Sequence, residues 1–146
     1  MKNYDPVDQN RRMMLDLDDG HVHMHVAAAL LFEAEALRTP GGGIDIDEIR
    51  RWVAAKLPYI PHAQQRIIQT PIEGRPVWVD DRNFNLQYHV RHTHLPHPGD
   101  ERQLKRLCGQ IASQELDREK PLWELWVVEG VERDRFAVVA KAHQCM

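Results

Sequence analysis

The side chain best placed to do chemistry is His143, which stands where the apolar run Phe136 to Ala142 ends. An imidazole with an ordinary pKa near ~6.5 can take a proton from a hydroxyl at neutral pH and pass one on, a role typically contributing about 10²- to 10⁴-fold in rate. Its neighbour Gln144 carries an amide and cannot accept a proton. Two further histidine groups invite a metal reading. His21, His23 and His25 alternate onto one face of an extended chain, and His89, His92, His94 and His97 add four more. A transition metal needs these groups, or carboxylates, to converge, and their spacing does not demonstrate it, so polar strand faces are the expectation and no metal is assigned. Cys108 and Cys145 lie far apart without metal-ligand spacing and read as free thiols in a reducing compartment. Gly41 to Gly43 reads as a loop; no strand-turn-helix fingerprint surrounds it to cradle a phosphate.

The elements that must position His143 are two closing strands. Leu122 to Val128 is apolar on both faces except at Glu124, the pattern of an inner strand covered on both sides. Glu132 to Asp134 make the turn, and Phe136 to Ala142 return to His143. Upstream, a strand is expected from about His23 to Phe32. Asp45 and Glu48 have capping-box spacing ahead of a helix with Ile46, Ile49, Val53 and Leu57 on one face and Trp52 beside them, ended by Pro58. The Pro-rich stretch that follows allows a short extended piece at Arg66 to Gln69. Val77 to Val79 reads as a brief strand, and the alternation from Leu86 to Leu95 as a longer one. Asp100 and Gln103 repeat the capping spacing for a second helix, with Leu104, Leu107, Cys108 and Ile111 on its inner face, running to about Gln114. Residues 1 to 20 read as an entry segment without an element of its own. Trp78, Trp123 and Trp126 are core or channel wall.

Composition sets the class. A chain of 146 residues, 42% hydrophobic and 28% charged, fits one soluble globular domain with a single core. A net charge of -3 with both signs mixed along the chain gives no basic stripe, which argues against nucleic acid. The N-terminus lacks a signal-peptide core and no run approaches the ~20 apolar residues that span a bilayer, so a cytoplasmic protein is expected.

Three segments in order carry a resemblance: MHV at Met24 to Val26, GRPVWVDDRNFNLQYHVRH at Gly74 to His92, and LDREKPLWELWVVEG at Leu116 to Gly130, the last followed by RFAVVAKAHQCM. Together they resemble the N-terminal part of the bacterial wax ester synthase and acyl-CoA:diacylglycerol acyltransferase family, related to chloramphenicol acetyltransferase and to peptide-synthetase condensation domains. The resemblance implies an α+β fold, a chloramphenicol acetyltransferase-like half with a mixed β-sheet flanked by amphipathic helices. Residues 1–146 would form a single N-terminal acyltransferase domain.

In that comparison Lys141-Ala142-His143 match a lysine, a variable residue and the first histidine of the family's HHxxxDG motif. The second histidine, the family's base, falls on Gln144 in the usual register. Either His143 takes that role or the site is impaired. A shorter HxxxDG register starts at His143 and runs through Gln144, Cys145 and Met146. Both registers finish past Met146, so the expectation is a chain that ends within the motif, with the second domain absent.

The implied function is acyl-CoA-dependent O-acyl transfer to a long-chain alcohol or diacylglycerol, with His143 and Gln144 as the catalytic positions. No acyl-enzyme intermediate is implied, and no cofactor, acyl-CoA being a co-substrate. The alternative is a catalytically inactive fragment or pseudo-enzyme that binds lipid or a partner chain. The implied surroundings are a peripheral membrane or lipid-inclusion surface. Self-association through the inter-domain face, with Trp-rich apolar area exposed, is also expected.

Overall fold

The computed structural model describes residues Asp5 to Asp19 and His21 to Met146. Its centre is a four-stranded mixed sheet in the order β2-β7-β6-β5, formed by β2 (His25–Glu33), β7 (Arg135–His143), β6 (Trp123–Val131) and β5 (Val90–His94). β7 pairs antiparallel with both β2 and β6, while β5 runs parallel to β6. Parallel neighbours need a crossover, and α4 (Glu101–Ser113) supplies it. Both closing strands are inner strands, as their apolar faces require, and β2 is an edge.

Each face of the sheet carries one core. On one side α2 (Ile46–Lys56) sets Ile49 against Val90, Trp123, Val127 and Phe136. On the other, α4 lays Leu104 and Ile111 over Val128, Ala137 and Val139. The side chains of β7 therefore alternate between the cores, and alternation puts Lys141 and His143 on the α4 side. The capping spacing holds. Asp45 accepts from the Glu48 N–H at 3.0 Å, and Asp100 and Gln103 form a reciprocal box with bonds of 2.9 Å. The stretch near Arg66 pairs as β3 (Gln65–Gln69) with β4 (Pro76–Asp80).

Two sequence expectations are corrected. Residues 1 to 20 do contain elements: β1 (Asp5–Pro6) extends the small sheet to β1-β4-β3, and α1 (Gln9–Leu17) follows. α1 forms because Asp8 caps it through the Arg11 N–H at 3.0 Å and Leu15 drops into a third core with Trp78, Leu122 and Cys145. The run Leu86 to Leu95 is not one strand. Asn85 accepts from the Gln87 N–H at 3.0 Å and winds α3 (Leu86–His89) first, leaving only Val90 to His94 extended.

Apolar surface is open along β2 and α2, at Val26, Leu30, Leu31, Phe32 and Trp52, and at Ile60 just past α2. Of the tryptophans named from the sequence, Trp78 and Trp123 are buried and Trp126 is half-buried, so the exposed indole on this surface is Trp52. Among the described residues no helix is long and apolar enough to cross a membrane.

Candidate active site

His143 closes β7 with its backbone tied on both sides. It sits opposite His25 in the β2 register, and its N–H donates to the Leu122 carbonyl at 3.0 Å. A tight turn follows, in which Met146 N–H returns to the His143 carbonyl at 3.0 Å and Gln144 N–H donates to Met24 O at 2.8 Å. The turn turns Gln144 outward and Cys145 inward.

The imidazole is 3% exposed. Nδ1 accepts from the Cys145 N–H at 3.0 Å, so a neutral ring carries its proton on Nε2. Nε2 lies 3.2 Å from Asp18 Oδ2, an ion-pair distance, although the approach lacks hydrogen-bond alignment and leaves Nε2 without a true partner. Burial pushes the imidazole pKa down, and the Asp18 carboxylate only partly offsets this. The ring is therefore neutral at pH 7.

Asp18 is held in turn. Burial raises its pKa, but the Met24 N–H at 3.2 Å, Arg118 and His143 outweigh burial and keep the carboxyl below its usual range. Arg118 Nη2 is 3.6 Å from Asp18 Oδ1 and donates to the carbonyls of Leu15 and Asp18. Asp18, Arg118, Leu122, Glu115 and His143 line a cavity of about 480 Å³. Two residues before His143, Lys141 is 1% exposed and donates to Ile111 O at 2.8 Å and to Gln114 O, closing the last turn of α4. Burial lowers its pKa.

A second hollow, about 560 Å³ and lined almost wholly by apolar atoms, lies on the other face of the sheet. Its walls include Val26, Trp52, Leu57, Leu125, Ala140 and Met146, the last from the same turn as His143.

His143 and Gln144 are thus adjacent in sequence but opposite in exposure. The other histidines go separate ways. His25 bonds the Ala112 carbonyl, His89 is buried against Phe84 and Trp123, and His92 pairs with Glu129. Among the described residues, His23 is the histidine that joins two carboxylates in a group, Asp18 and Glu115. Both cysteines are free, with burial raising the Cys145 pKa to about 11. Sequence reasoning missed Asp18 and Arg118, because no local pattern announces partners that only the tertiary fold delivers.

Residues 6–146 match the family model of the wax ester synthase/diacylglycerol acyltransferase catalytic domain. The chain is 40% identical over 111 residues to a probable diacylglycerol O-acyltransferase, tgs3, of Mycobacterium tuberculosis, covering 75% of this chain and 41% of that protein. It is 36% identical over 129 residues to the probable diacylglycerol O-acyltransferase tgs1 of the same organism, 88% of this chain and 26% of the relative. Among solved structures, a wax ester synthase/diacylglycerol acyltransferase from Marinobacter aquaeolei VT8 superposes with TM-score 0.74 at 29% identity, over 96% of this chain and 34% of that one. The first condensation domain of the calcium-dependent antibiotic synthetase matches with TM-score 0.73 at 13% identity, over 97% of this chain and 33% of that one, a likeness of fold alone. The chain therefore spans well under half the length of these relatives.

Proposed function

The chain belongs to the wax ester synthase/diacylglycerol acyltransferase catalytic-domain family, and on that premise we propose that it serves acyl transfer from fatty acyl-CoA to the hydroxyl of a long-chain alcohol or diacylglycerol. The observation that carries this reading at the level of the site is the His143–Asp18 pair, a neutral, buried imidazole 3.2 Å from a carboxylate in the wall of a cavity.

An alcohol is a poor nucleophile while protonated. In the proposed step Nδ1 takes the hydroxyl proton once the local Cys145 N–H bond yields, the freed oxygen attacks the thioester carbonyl, and the imidazolium returns a proton to the departing thiolate. Asp18 then faces the Nε2–H of the transient imidazolium and favours its formation. The apolar hollow beside Met146 supports the same reading, since it offers a dry wall for an acyl chain.

A second reading rests on a specific contact. The Cys145 N–H occupies the lone pair that a base would need, which suits a histidine that braces the turn while Gln144 stands outward where a base would otherwise be. Ester formation by the complete gene product, assayed with Gln144→His beside the parent, separates the two. No gain supports His143 as the proton carrier, whereas a large gain assigns the base position to residue 144.

A further inference from the structure

We propose that Asp18, His23 and Glu115 form a binding site for a first-row divalent metal of the zinc type, a site that does not depend on the acyl-transfer reading. One ligand atom from each of the three lies within 4.8 Å of the others. His23 Nδ1 is 3.6 Å from Glu115 Oε1 and 3.9 Å from Asp18 Oδ1. Tetrahedral ligands about 2.0 to 2.1 Å from a zinc ion stand roughly 3.4 Å apart, so these two edges need to close by only a few tenths of an ångström. An imidazole with two carboxylates is a donor set that zinc accepts, water completing the shell.

An unpartnered nitrogen points to a missing ligand. His23 Nδ1 is shut off from solvent and has no hydrogen-bond partner, although its ring is fixed by stacking on His25 at 5.4 Å. His143 Nε2, on a buried side chain, carries the ring proton and stands 3.2 Å behind Asp18 Oδ2, backing that carboxylate without being a ligand. With Oδ1 on a metal, Oδ2 would keep the Met24 N–H and His143 behind it, the outer support that a ligating carboxylate needs.

Charge points the same way. Arg118 offsets only Asp18, from 3.6 Å, and its Nη2 is also spent on the carbonyls of Leu15 and Asp18. Among the described residues Glu115 has no ion pair other than that with His23. A dication would neutralise both carboxylates and tie the segment after α1 to the end of α4.

Isothermal titration with zinc chloride, on metal-stripped protein free of any affinity tag, tests the site. The parent is expected to bind one zinc per chain with micromolar or tighter affinity and to melt at a higher temperature when loaded. Glu115→Gln, at an exposed side chain that leaves the fold intact, and His23→Gln should each weaken binding by about tenfold or more. His97→Gln, a surface histidine away from the site, should not change it. No zinc binding by the parent, or binding that Glu115→Gln and His23→Gln leave unchanged while circular dichroism shows them folded, would overturn the proposal.

Discussion

The ammonium of Lys141 on β7 lies 2.8 Å from the carbonyl of Ile111 in the last turn of α4, so one buried cation ties the strand that ends in His143 to the helix beneath it. Such terminal carbonyls have no partner within the helix, and a positive charge suits the negative end of the helix dipole. Lys141→Met keeps the stem but removes the donor that the Ile111 and Gln114 carbonyls share, leaving Ile111 O with only the 3.4 Å bond from the Gln114 N–H. At about 1 to 3 kcal/mol for one buried group left unsatisfied, the variant should lose roughly 1 to 3 kcal/mol in urea unfolding. A loss below 0.5 kcal/mol, on the order of an ordinary surface substitution, would show that the bonds are not made.

His89 should make the fold sensitive to acid. Burial holds its pKa below the usual value, against the opposing bond from its ring to the Trp123 carbonyl at 2.7 Å. The unfolded chain therefore binds more protons than the folded one as pH falls below the unperturbed value of about 6.5, and stability falls with it until the depressed folded pKa is passed. His143 shifts in the same direction and adds to the slope. Unfolding midpoints compared at neutral pH and in mild acid should fall, and the fall should be smaller in His89→Phe. An equal slope in parent and variant would remove His89 from the explanation.

Gly99 tests the junction between α4 and β6. Its φ of +68° is in the left-handed region, and a Cβ there would meet the Gly130 carbonyl oxygen at 1.7 Å. The atoms it would meet are backbone atoms of Gly130 and Val131, which cannot swing away as a side chain can. Gly99→Ala should cost at least ~2 kcal/mol, from the left-handed backbone and the collision together. A melting temperature unchanged by the substitution would refute the close approach.

These cases show what a single sequence makes legible. α2 and α4 are readable because each carries its start signal and an apolar face at helical spacing, and β6 and β7 because apolar residues on both faces suit an inner strand. α1 is hidden because most of its residues are polar and one buried side chain, Leu15, anchors it. α3 is hidden because Asn85 decides the matter by capping, while the alternation from Leu86 onward imitates a strand. At the site, His143 is visible from its place at a strand end. Asp18, Arg118 and Glu115 are not, since Asp18 comes from the segment after α1 and Glu115 and Arg118 from the connection between α4 and β6, and none has a motif.

The pairing of His143 with Asp18 is the centre of the functional proposal, and ester formation by the complete gene product from a long-chain acyl-CoA and diacylglycerol tests it most directly. His143→Gln should lower kcat by about 10²- to 10⁴-fold with little change in KM for acyl-CoA, and Asp18→Asn should lower kcat by a smaller factor. A His143→Gln enzyme that folds and keeps kcat within a few-fold of the parent would contradict the role given to His143.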